Sequence, residues 1–225
     1  MRNYLLSIIT VFISAGASAQ VLQSGLAAGL HADITRGFTD VHKSDMNPGF
    51  GASIQYNANP FIFVNAEYSK GRLSRNEPDI YGKSYINHFN RVTATANISL
   101  GQFLKPERRR AHQLLYNIYA GAGAGMIRSD IAKPNALTQE GYGGITYQGT
   151  DLTLPVQIGL NFKAGGGQYS DGPFTFNINL QHNFTFTEML DGYDPKNSDN
   201  HIKDNFSVLS AGIKYNFGRR VACFN

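Results

Sequence analysis

The stretch "FTFNINLQHNFTFT", residues 174–187, sets Phe174, Phe176, Ile178, Leu180, Phe184 and Phe186 on one parity and Thr, Asn or Gln on the other. Side chains of a β-strand alternate between faces, so the segment predicts one apolar and one polar face. His182 is the single polar member of the apolar set, and it is read as an interfacial residue.

The same period recurs along the chain. In "LTLPVQIGLNFK" Leu152, Leu154, Val156, Ile158, Leu160 and Phe162 oppose a set ending in Lys163. "RVTATANISL" and "SVLSAGIKYNF" behave alike. Strands are predicted near 22–34, 48–57, 60–70, 85–101, 113–128, 150–163, 173–188 and 204–217. No segment sustains a helical period, so the class is all-β. The connections alternate in length. "NANP", "FLKPERRRAH" and "AGGGQYSDG" are short, whereas about 35–47, 71–84, 129–149 and 189–203 are longer and polar. In an up-and-down barrel this gathers the long loops at one end and the short turns, with both termini, at the other.

The chain opens on "MRNYLLSIITVFISAGASAQ": a basic start, a short apolar core and the small residues Ala17-Ser18-Ala19. This is the layout of a secretory signal peptide, and its apolar run is about half the roughly 20 residues that a spanning helix needs. The expected organisation is a signal peptide over 1–19, a barrel over 20–218 and a short basic tail over 219–225. The one cysteine, Cys223, cannot form an internal disulfide. A net charge of +4, scattered along 225 residues, argues against a nucleic-acid surface.

Which solvent meets the apolar face separates two barrels. A soluble barrel would turn it inward around an apolar ligand, and a membrane barrel would turn it outward to lipid. The polar face is rich in Asn, Thr, Gln, Ser and Gly, with sparse charges at Asp33, Glu67, Arg91, Lys163 and Lys214, which suits a narrow lumen. Several strands alternate for ten or more residues, enough for a tilted crossing. Tyr215 and Phe217, with Phe174 and Phe186, are expected as interface aromatics. Glu67 and Arg91 fall on consecutive strands with lumen parity and are candidates for an interior ion pair. Lys163, Lys214 and Asp33 are further lumen charges. Gly121, Gly123 and Gly125 remove side chains from the polar face of strand five and are expected to leave some space there.

In its signal peptide, eight alternating segments, loop pattern and aromatic strand end, the chain resembles the OmpA/OmpX-like eight-stranded outer-membrane β-barrel family of Gram-negative bacteria. The resemblance implies an antiparallel up-and-down transmembrane barrel in the cell outer membrane, porin-like in architecture. It also implies outer-membrane lipid as surroundings, periplasmic chaperones and the barrel-assembly machinery as partners in biogenesis, and a monomer. Eight strands leave room for side chains and at most a narrow pore.

No catalytic residue, metal or cofactor is expected. "HKSD" (His42, Lys43, Ser44, Asp45) and "HIKD" (His201 to Asp204) are the nearest approaches to a lipid-modifying hydrolase, and both read as solvated loops because nothing fixes a nucleophile against a base. Asp191, Asp194 and Asp199 offer oxygen ligands without the spacing of a calcium loop. Lys105, Arg108, Arg109 and Arg110, with Arg219 and Arg220, form a basic periplasmic rim suited to the membrane border. The leading expectation is a non-enzymatic barrel that is structural or recognises an unidentified extracellular ligand through its long loops. A lipid-modifying hydrolase and a secreted soluble ligand-binding barrel are the alternatives.

Overall fold

A computed structural model describes residues 25–39, 41, 44–77, 83–104, 115–132, 146–163, 173–192 and 203–217. Eight antiparallel strands close into a barrel in sequence order. They are β1 (Gly25–Phe38), β2 (Asn47–Asn57), β3 (Ile62–Arg75), β4 (Tyr85–Ser99), β5 (Ile118–Ala132), β6 (Tyr147–Lys163), β7 (Phe174–Thr185) and β8 (Asn205–Phe217). A single 3₁₀ turn, Leu100–Gln102, follows β4. Closure is made by β1 against β8, from Leu26 opposite Phe217 to Phe38 opposite Asn205. Sheet edges are thereby removed, and every ladder donor and acceptor has a partner strand beside it, as hydrocarbon surroundings require.

Following the paired residues from strand to strand returns to β1 about ten residues further along. That stagger tilts the strands by about 40° to the axis. Strand ends differ from the expected ones at the long-loop end. β1 runs on to Phe38 and β3 to Arg75, because "ITRGF" pairs with β8 and "GRLSR" pairs with β4 up to Tyr85. Pairing partners override the turn-forming composition of those segments. β5 starts at Ile118, after a short helical turn at 115–116.

The apolar face points outward. Leu30, Ile54, Val64, Val92, Leu152, Ile178 and Leu209 stand exposed around the wall, while Asn65, Thr93, Thr95, Gln157, Asn179 and Gln181 are buried inside. A secreted barrel with an apolar ligand pocket needs the reverse, so that alternative is excluded. At the lower end Phe174, Tyr215 and Phe217 form an edge-to-face ladder, with centroids 5.5 Å and 5.1 Å apart. Aromatic rings are favoured at this membrane border.

The glycines of β5 do not open the lumen. A Cβ on Gly123 would collide with the Ala94 carbonyl oxygen and lie 2.7 Å from the Cα of Thr95, and one on Gly125 would lie 2.5 Å from the Val92 carbonyl oxygen. These glycines let β4 and β5 approach closely, so the space expected there is filled by the neighbouring backbone. Gly123→Val is accordingly expected to destabilise the barrel by about 1–3 kcal/mol or to prevent closure. The shift in urea midpoint of the folded gel band measures it, and an unchanged midpoint would contradict the close approach. Across from Gly123, the β5–β6 ladder skips Gly123 and Ala124 opposite Pro155 and Leu154. Pro155 has no N–H to give.

Candidate functional site

The lumen is built in layers. At the bottom Phe63 and Tyr119 meet edge to face at 5.1 Å. Above them runs an amide network. Gln157 Nε2 donates to Asn97 Oδ1 (2.5 Å) and Thr95 Oγ1 (3.0 Å), and Asn179 Nδ2 donates to Gln157 Oε1 (3.0 Å). Asn177 Nδ2 donates to the Tyr119 hydroxyl (2.9 Å) and to Asn161 Oδ1 (2.9 Å). Such groups enclosed by a closed sheet are stable only when they satisfy one another.

Charges occupy the middle. Arg91, with 0% of its surface exposed, donates from Nη2 to Glu67 Oε1 at 2.5 Å. Its Nε donates to Ser69 Oγ at 3.0 Å and its Nη1 to Asn183 Oδ1 at 3.4 Å. Lys214 Nζ donates to Gln55 Oε1 at 2.8 Å, and Glu67 acts on it electrostatically. Asp33 pairs with His31 Nδ1 at 2.7 Å. Glu67 and Asp33 thus share this middle layer with Arg91 and Lys214. Lys163 closes β6, and its side chain lies outside the described residues.

Above the Arg91 layer the interior turns apolar. Val41, Leu73, Phe89, Ile127, Leu190, Phe206 and Val208 are buried in one cluster with Tyr85. Phe89 and Phe206 stack at 5.7 Å, and the Arg91 guanidinium lies 6.0 Å below the Phe206 ring centroid. Loop residues are drawn in to complete it. Val41 N donates to Asp191 Oδ2 (3.3 Å), Leu190 N to Asp204 Oδ2 (2.9 Å), and Asn87 Nδ2 to the Leu190 carbonyl (2.8 Å). Among the described residues this cluster packs the upper lumen.

The reading of a uniformly polar interior missed this layer. Its signal lay in the sequence: near the upper strand ends the polarity of the alternation inverts. Phe89, Ile127, Ile131, Phe206 and Val208 take the inward parity, while Arg36, Lys70, Asn90, Arg128 and Ser207 take the outward one. Inversion marks where the wall leaves hydrocarbon for polar head groups.

Catalytic candidates in the loops serve structure. Ser44 Oγ is buried against the Tyr85 hydroxyl (3.1 Å), the Ser74 carbonyl (3.1 Å) and Gly37 N (3.3 Å). Asp45 accepts from Asn76 N at 2.9 Å. Asp204 and Asp191 hold loop amides, as above. His42, Lys43, His201, Asp194, Asp199, the basic rim at Lys105 and Arg108 to Arg110, Arg219 and Arg220 lie outside the described residues. Among the described residues no cluster of three metal-ligating side chains occurs. Phe186 stands exposed just beyond β7, its N still bonded to the Leu152 carbonyl at 3.4 Å.

His182 lies on the outer wall, its Nδ1 2.9 Å from Ser207 Oγ. Its ring is wedged between Phe38 (5.8 Å) and Phe184 (4.6 Å). The pair has the elements of a nucleophile and base, but no carboxylate bonds the ring among the described residues, so the orienting third member of a triad is missing from it.

A family model for the outer membrane protein beta-barrel domain matches residues 5–217. The chain belongs to this outer-membrane β-barrel family. Neisserial surface protein A is similar in structure, with a TM-score of 0.51 at 13% identity, covering 84% of this chain and 96% of its own. Ail, the attachment invasion locus protein of Yersinia pestis, is similar with a TM-score of 0.49 at 14% identity over 87% of this chain and 100% of its own. OprG from Pseudomonas aeruginosa gives 0.42 at 10% identity over 87% and 96%. At such identities the likeness speaks for the fold alone. No relative among curated proteins matches by sequence. As an outer-membrane barrel, the chain has lipid as the solvent of its apolar wall.

Proposed function

We propose that this outer-membrane barrel is a closed, monomeric, non-catalytic scaffold that presents its long extracellular loops to a partner. The sealed upper lumen is the observation that carries the reading: Arg91 fills the middle and the Phe206–Leu190–Val41 cluster fills the mouth. A conduction path through both layers would have to displace a paired guanidinium and several large apolar side chains, so any pore is narrow at most. Rigid walls with variable loops suit recognition. Export by the 1–19 signal, followed by chaperone and assembly-machinery handling in the periplasm, is part of the same proposal.

Planar-bilayer recording of the refolded protein tests it. No sustained ohmic current is expected. The same silence is expected from a chain with 133–145 and 193–202 replaced by short Gly-Ser turns, because the seal uses residues 41 and 190. Steady open-channel current from the intact chain would replace the scaffold by a pore.

A further inference from the structure

We propose that the outer wall at the junction of β1, β8 and β7 binds the phosphate group of a lipid in the surrounding leaflet. Arg36 on β1 is registered opposite Ser207 on β8, and Ser207 opposite His182 on β7. All three have outward parity, so three polar side chains from adjacent strands stand side by side at the upper border of the apolar wall. Neighbouring strands are about 4.8 Å apart, so the set spans roughly 10 Å, the width of a phosphate monoester with its first sugar or glycerol oxygens.

The chemistry fits an anion. Arg36 is exposed, its guanidinium carbon 5.8 Å from the Phe38 ring centroid, and a guanidinium presents a planar fork of N–H donors suited to a bidentate phosphate. His182 and Ser207 bond each other at 2.9 Å. Whichever of the two gives its proton to that bond, the other ring N–H or the hydroxyl keeps a proton to donate outward. Phe38 and Phe184 fix the imidazole plane on both sides. Lys203, nearby, is already engaged by the Phe186 carbonyl (3.3 Å) and Glu188 (3.9 Å), so the site does not depend on it.

Depth supports the same ligand. Ile34, Leu180 and Leu209 lie one step below on the same three strands and are exposed, a surface for acyl chains. Polar side chains on a lipid face are unfavourable in the hydrocarbon and are retained where the bilayer itself offers partners. At the upper border of the apolar wall, those partners are lipid phosphates.

The test is native mass spectrometry of the full chain refolded in dodecylmaltoside and titrated with diphosphoryl lipid A. Dephosphorylated lipid A and inorganic phosphate are the parallel probes. Retained one-to-one adducts are expected with the phosphorylated lipid only. Arg36→Gln is expected to weaken them tenfold or more, Arg36→Lys and His182→Gln less, and Lys70→Gln on the opposite wall not at all. Each variant is first checked for its heat-modifiable gel shift. If Arg36→Gln does not fold, Arg36→Lys combined with Ser207→Ala takes its place. Equal binding of the dephosphorylated lipid, equal binding of inorganic phosphate, or an equal loss in Lys70→Gln would overturn the site.

Discussion

Arg91→Ala is expected to lower the stability of the barrel by about 3–5 kcal/mol, the largest effect of any single truncation in the lumen. The substitution leaves the Glu67 carboxyl group inside a closed sheet with its 2.5 Å partner gone, and removing one partner of a buried ion pair is strongly destabilising. It also removes the donors to Ser69 and Asn183 and the side chain beneath Phe206. Removing the charge from both sides is a different experiment. The Glu67→Gln, Arg91→Met double variant keeps volume without a net buried charge, and such replacements are often near neutral. Urea titration followed by the folded gel band measures all three chains. A double variant as damaged as Arg91→Ala would show that the loss does not come from an unpaired Glu67 charge.

Ile178→Arg is expected to cost about 2–4 kcal/mol, because an arginine on the lipid face near the bilayer midplane must leave water. Ile178 is 48% exposed on the outer wall, midway between Phe174 at the lower border and His182 at the upper one. The same change at Phe174 is expected to cost only about 0–1 kcal/mol, since the border residue can reach the head groups. The contrast between the two positions is the decisive reading. Equal costs would place Ile178 outside the hydrocarbon, against a membrane crossing by β7.

Much of this architecture is legible from period-two patterning. The run from Phe174 to Thr187 assigns faces correctly, and eight such runs imply closure. The lumen parity of Glu67 and Arg91 is equally plain in the sequence, although the hydrogen bonds of Arg91 to Ser69 and Asn183 depend on register and rotamer. Harder to read was the top of the barrel. "GRLSR" and "TRGF" look like loops by composition, yet they extend β3 and β1 because their partners continue. Alternation tells which residues share a face but not where its polarity inverts, so the inward apolar layer of Phe206 and Val208 emerges only from the structure. Spacing said even less about Gly123, whose missing side chain serves the approach of β4. His182 stands out in the alternation, but its hydrogen-bond partner Ser207 lies 25 residues away on β8 and its ring neighbour Phe38 lies on β1, more than 140 residues away.

The seal at the upper mouth joins distant parts of the chain. Val41 bonds Asp191, Asn87 bonds Leu190, and Phe206 enters from the last strand. The Val41–Asp191 bond spans from the end of β1 across β8 to the end of β7, so it needs those three strands held side by side. The packed upper lumen therefore ties the two ends of the sheet together. A chain without β8 docked would lack Phe206 and Val208 in that cluster and leave its remaining apolar side chains uncovered. Closure of the wall and packing of the upper lumen are coupled in this fold.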